Sequence, residues 1–115
     1  MAKLFIMLVR VLGLAAIVLG ALLWTGRQPL LAPHIGCGFL VAIPVFVLAL
    51  IALLRKAVIP GILGVLFAVL LPVVGFMQLP LTFHALGGIQ VAHIILALLT
   101  IGVAERLYSA TRSAH

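Results

Sequence analysis

Long apolar runs separated by short polar stretches make up almost the whole chain. Four of these runs approach the length of about 20 residues that a helix needs to cross a bilayer core roughly 30 Å thick. They cover approximately residues 4–24, 33–54, 60–77 and 88–104. The pattern predicts an all-α integral membrane protein in which residues 1–115 form a single four-helix transmembrane domain.

The connections between the runs predict how the helices are arranged. The link over 55–59 is only a few residues long, whereas those over 25–32 and 78–87 are somewhat longer. Short links favour antiparallel neighbours, so the expected architecture is an up-down bundle. In such a bundle the second and fourth helices are diagonal partners that run in the same direction.

The first apolar run begins like a secretory leader, with a lysine at position 3 followed by apolar residues. It is nevertheless long enough to span a bilayer. Trp24 at its end, followed by a polar stretch that includes Arg27, is typical of an interfacial anchor rather than of a cleavage site. We therefore expect the first helix to be retained.

Positive charge predicts the orientation, because short loops rich in Lys and Arg stay on the cytoplasmic side. The side that would hold both termini collects six of the seven cations, and the opposite side has only Arg27. Both ends are therefore predicted to be cytoplasmic, in a bacterial inner membrane. The net charge of +6 is explained by this topology and by contact with the lipid bilayer, and it gives no reason to expect nucleic-acid binding.

The scarcity of polar side chains excludes several kinds of chemistry. Glu105 is the only carboxylate side chain, which excludes paired-carboxylate catalysis. Small proton-coupled four-helix exporters carry an acidic residue in the first membrane helix. The first apolar run of this chain has none, which argues against that class. We expect Glu105 to be interfacial and paired with a nearby cation, and Arg10 to extend toward the cytoplasmic interface. Cys37 is the only cysteine, so an intrachain disulfide is excluded, and a cysteine metal cluster would need ligands from another chain. An enzyme is not the expected function.

Histidines remain as candidates for chemistry, since an imidazole at membrane depth is costly unless something satisfies it. His34 lies near the outer start of the second helix and His93 about one turn into the fourth. If those helices are diagonal partners, the two imidazoles can face each other across the bundle with space for one metal between them. Haem iron with two axial histidines has that geometry.

At this point the chain resembles the bis-histidine b-type cytochromes of bacterial membranes, in which glycines make room for haem between four helices. The resemblance spans all four predicted helices and is carried by His34, Gly36 and Gly38, by His93, and by Gly13 and Gly20. Diheme members have a second histidine about two heptads further in on each ligating helix, where this chain has Leu48 and Leu107. The resemblance therefore implies at most one haem b, near the outer face.

Several other residues are candidates for supporting that haem. Arg27 is the outer cation that would attract the propionates, and glutamine and threonine side chains nearby are possible hydrogen-bond donors. His84 is an alternative ligand to His93 if the outer loop folds inward. A chlorophyll-type pigment, another metal, or plain interfacial histidines that meet headgroups and water are the other interpretations.

The expected function is one-electron transfer near the periplasmic face, with a quinone or a periplasmic cytochrome as redox partner. The chain would act as an electron carrier or as a subunit of a larger respiratory or photosynthetic complex. The alternative is a structural or anchor subunit of a membrane complex that performs no chemistry. A small transporter is disfavoured because the centres of all four apolar runs lack a polar path.

Overall fold

The fold was analysed in a computed structural model that describes residues 1–78 and 86–113, apart from the side chains of residues 28, 86 and 113. Within these ranges the chain is helical and contains no strand, which confirms the predicted all-α class. The elements are α1 (Ala2–Trp24), α2 (Leu31–Leu54), α3 (Val58–Met77) and α4 (Leu86–Ser113), with a short 3-10 helix (Gln28–Leu30) between α1 and α2.

All four helices are long and apolar enough to cross a membrane. Large apolar side chains are exposed along each of them, including Leu14 on α1, Ile43 on α2, Ile62 on α3 and Leu98 on α4. A water-soluble bundle would bury one apolar stripe per helix and present polar residues elsewhere. The chain is therefore a multi-pass membrane protein whose outward faces suit lipid.

The helices are arranged as the connections predict. Each helix packs against the next one along the chain, and α1 also packs against α4, which closes the bundle. Across the diagonals, α2 contacts α4, whereas α1 and α3, both described in full, do not contact each other. The bundle is thus flattened so that α2 and α4 meet at its centre.

The helix α4 is longer than its apolar run. The sequence predicts an end near residue 104, where Glu105 and Arg106 interrupt the apolar pattern, but the helix continues to Ser113. The pattern marks the edge of the hydrocarbon layer, whereas the helix itself ends only where backbone geometry or packing stops it. A hydrogen bond from Arg55 Nη1 to the carbonyl oxygen of Thr111 (2.8 Å) ties the end of α2 to this extension.

An ion pair joins the first helix to the last. Arg10 donates from Nε to Glu105 Oε1 at 2.6 Å and from Nη2 to Oε2 at 2.9 Å, which is the paired geometry that a guanidinium and a carboxylate favour. The expectation that Glu105 pairs with a nearby cation is thereby confirmed. Its partner is Arg10 on a different helix rather than its neighbour Arg106, and the guanidinium of Arg10 is held by this contact.

The buried core occupies only one half of the bundle. In the inner half, defined as residues 2–13, 41–71 and 100–113, the helices approach closely. A Cβ at Gly64 would lie 2.7 Å from both Ala49 Cβ and Leu107 Cδ1. In the outer half, residues 14–40 and 72–99, none of the residues whose burial is described is buried. The core consists of Ile6, Val9, Val41, Val45, Leu48, Ala49, Ala52, Ala68, Leu71, Ala104 and Leu107.

Candidate functional site

The two histidines singled out from the sequence lie together in the outer half. The imidazole rings of His34 on α2 and His93 on α4 have centroids 6.1 Å apart, with an angle of 80° between the ring planes. Both residues lie within about two turns of the outer end of their helix. Because α2 and α4 are the diagonal helices that touch and both run inward, their first turns lie at the same end of the bundle, and the two rings meet there.

A glycine on the preceding helix makes room for each imidazole. A Cβ at Gly20 on α1 would lie 3.1 Å from Cε1 of His34, and a Cβ at Gly75 on α3 would lie 3.1 Å from Cε1 of His93. Such distances are tighter than side chains normally tolerate, so the rings occupy space that only glycine leaves open. Each helical hairpin therefore contributes the same unit, a glycine near the outer end of one helix and a histidine near the start of the next.

Sequence reasoning selected Gly20 but missed Gly75. A signal was present, because both hairpins have the order of a glycine near the end of one apolar run and a histidine in the next. Gly20 lies on the same face of α1 as Gly13, seven residues earlier, whereas α3 has no glycine seven residues before Gly75. Searching for the glycine and histidine order in both hairpins would have found it.

Hydrogen bonding distinguishes the two imidazoles. Nδ1 of His34 lies 2.9 Å from the carbonyl oxygen of Ala16, and since a carbonyl can only accept, the ring donates through Nδ1–H. The neutral ring then has its unprotonated nitrogen at Nε2, which is available to a metal. Nδ1 of His93 is buried and has no hydrogen-bond partner in the part of the chain that the structure describes. A buried ring nitrogen without a partner is costly, so a hydrogen-bond or metal partner at Nδ1 would stabilise the ring of His93.

The remaining candidates are spread around this pair. Gly13 lies on α1 two turns inward of Gly20. A Cβ at Gly13 would contact Ile101 Cδ1 on α4 at 3.2 Å. At Gly38 an added Cβ would meet no atom of the described residues within 4 Å. Arg27 is exposed beyond the end of α1. The alternative ligand His84 lies outside the described residues.

The donor set fits haem better than a bare metal ion. The described ranges contain no group of three or more His, Cys, Asp or Glu side chains that could hold a metal, and two imidazoles are too few for a protein-only site. Two imidazoles are, however, the full protein contribution to a six-coordinate haem iron, since the porphyrin supplies four nitrogens. Metal–nitrogen bonds of about 2.0–2.1 Å on both sides, plus half of each ring, give a centroid separation of about 6 Å. The observed value is 6.1 Å.

No protein family, curated protein or solved structure matches this chain. Its function must therefore be inferred from the site itself.

The inner half offers no comparable site. Leu48 and Leu107, at the positions where a second pair of ligands would stand, are both fully buried in the apolar core. Gly64 brings α3 against Leu107 there, so side chains fill the centre of the bundle. By contrast, the imidazoles of His34 and His93 lie in the outer half, where none of the residues whose burial is described is buried. A flat apolar cofactor is the kind of group that would complete the core at that level.

Proposed function

We propose that this chain binds one haem b, with His34 and His93 as the axial ligands of the iron. The observation that carries the proposal is the placement of these two imidazoles on diagonal helices with their ring centroids 6.1 Å apart. This separation leaves room for one metal ion between the two rings if their nitrogens face each other. The glycines against both rings support the same assignment.

The surrounding residues prepare the ligands for this task. The carbonyl oxygen of Ala16 fixes the tautomer and orientation of the His34 ring. Metal-binding histidines commonly donate their other ring N–H to a group that orients them in this way. Gly20 and Gly75 let α1 and α3 approach the edges of the two imidazole rings. The backbones of these helices then limit how far the rings can move. Haem, when bound, supplies a one-electron iron couple. If His34 and His93 both held the iron, the haem would supply electron transfer rather than oxygen chemistry.

The position of the pair suggests where electrons would be exchanged. The histidines lie in the half of the bundle opposite the cationic end, and the distribution of Lys and Arg predicts that this half faces the periplasm of a bacterial inner membrane. A quinol in the bilayer or a periplasmic cytochrome would be the redox partner. The chain would act as an electron carrier or as the haem-bearing subunit of a larger membrane complex.

A haem titration tests the proposal. Protein purified without haem from cells unable to make it is titrated with haem b in detergent, and the absorbance spectrum is followed. We expect saturation at one haem per chain and a reduced form that does not take up carbon monoxide, because both axial positions are held by histidine. Absence of any saturable spectral change would contradict haem binding and favour the structural or anchor subunit.

A further inference from the structure

A charged pair lies on the outward face of the bundle, where α1 and α4 pack against each other. Arg10 and Glu105 are joined by two hydrogen bonds, yet 52% of the Arg10 side chain and 42% of the Glu105 side chain are exposed. Neither residue belongs to the histidine pair in the outer half. An inference about this surface therefore does not depend on the proposed haem site.

The packing of the core gives the level of this pair in the membrane. Leu107, two residues inward of Glu105, lies against Gly64 of α3, and Gly64 lies about 9 Å along α3 from its inner end. The pattern of α4 alone would place the edge of the hydrocarbon layer at Glu105. Nearer the inner end, however, Leu4 on α1 and Ile59 on α3 still expose apolar side chains. The charges are therefore next to apolar surface that suits lipid tails.

Charged groups that face lipid tails are costly, and this pair does not remove that cost by itself. Arg10 does not extend toward the headgroups, because its guanidinium is held by Glu105. A guanidinium and a carboxylate can each make more hydrogen bonds than the two that join them here. Ionisable residues in membrane helices usually face other helices rather than lipid. A protein partner that carries both charges would suit this surface.

A second copy of this chain has the matching charges at the matching level. Copies in one membrane share one orientation, so a twofold axis that relates them runs along the membrane normal, parallel to the helices. Rotation about such an axis keeps every residue at its level and exchanges left and right. With the axis beside the midpoint of the pair, Arg10 of each copy faces Glu105 of the other. The pair is thus complementary in charge to its own symmetry mate.

We infer that two copies of the chain associate through the α1–α4 face, with Arg10 of each copy paired to Glu105 of the other. This face consists of Met7, Arg10 and Leu14 on α1 and Leu98 and Glu105 on α4, which recur at helical spacing. The three apolar members are at least half exposed. They would pack against the second copy above and below the charges and keep lipid away from them. The contact brings together four charges of alternating sign.

A charge exchange tests this pairing. In the double variant Arg10→Glu with Glu105→Arg, the pair within one copy is kept and its direction is reversed. Two variant copies should associate as two wild-type copies do, whereas a variant and a wild-type copy place like charges opposite each other. We expect this mixed pair to associate at least about 100-fold more weakly. Energy transfer between donor- and acceptor-labelled full chains in dioleoylphosphatidylcholine vesicles, diluted stepwise with lipid, measures the association.

Two further variants serve as comparisons. Arg106→Leu removes an exposed charge next to Glu105 in the sequence and leaves the pair intact, so it should keep the wild-type energy transfer. Arg10→Leu with Glu105→Leu removes both charges and should associate at least about 10-fold more weakly.

Three results would overturn the inference. The first is wild-type energy transfer no greater than that between the chain and an unrelated membrane protein at the same dilution. The second is a mixed pair that associates as tightly as the wild type. If the exchanged variant does not fold, the third decides, which is equal energy transfer in the double leucine variant and in Arg106→Leu.

Discussion

Replacing either His34 or His93 with alanine is expected to eliminate the low-spin haem b spectrum of the purified protein. Each residue supplies one of the two protein ligands, and its loss leaves an axial position open and one side of the iron unbound. Loss of a supporting partner of a metal ligand already costs about 10–100-fold in affinity, so loss of the ligand itself should cost at least about 100-fold. The reduced-minus-oxidised absorbance spectrum after purification, with pyridine extraction to count haem, measures this effect.

The other two histidines provide matched controls for the same substitution. His84→Ala and His115→Ala are expected to keep the wild-type haem content and spectrum. If His84→Ala abolishes the spectrum while His93→Ala leaves it intact, His84 is the second ligand and the assignment of His93 is wrong. If all four single variants retain the wild-type spectrum, neither histidine of the pair is needed and the proposed coordination is refuted.

Leucine at Gly20 or Gly75 is expected to weaken haem binding without unfolding the bundle. A side chain at either position meets an imidazole edge, since even a Cβ would lie 3.1 Å from Cε1 of His34 or of His93. The ring must move away from the position it needs for coordination. Overpacking of this kind costs about 1–3 kcal/mol, which corresponds to a loss of roughly 5- to 150-fold in haem affinity. The haem titration described above measures it.

Gly102→Leu is the control for that substitution. Gly102 is also a helical glycine, but an added Cβ there would meet no atom of the described residues within 4 Å. Its haem affinity should equal that of the wild type. The Tm of the haem-free protein should be similar in all three variants, because the fully buried core lies in the inner half and is not touched by Gly20 or Gly75. Unchanged haem affinity in Gly20→Leu and Gly75→Leu would show that these glycines do not position the ligands.

Hydropathy was sufficient to predict the helices and their order. Each span must be about 20 apolar residues long, and short links force neighbours to be antiparallel, so few arrangements are compatible with the pattern. The same reasoning placed His34 and His93 at one level, because their distances from the starts of two parallel helices are similar. The structure brings these two residues together, and their proposed ligation of haem remains a prediction.

Rotation of each helix about its own axis could not be predicted from the sequence. Residues that face lipid and residues that face the core are equally apolar here, so hydropathy does not distinguish them. The contact between Arg10 and Glu105 and the contact between Gly75 and His93 both depend on that rotation. The concentration of buried residues in the inner half could not be predicted for the same reason. It depends on which small residues, such as Gly64, face a neighbouring helix and let it approach.

Electron paramagnetic resonance of the ferric, haem-loaded wild-type protein tests the central claim most directly. Two histidine ligands predict a low-spin iron signal. A low-spin signal that is lost in both His34→Ala and His93→Ala is the result we expect. A wild-type protein that shows only high-spin haem, or takes up none, would contradict coordination by this histidine pair.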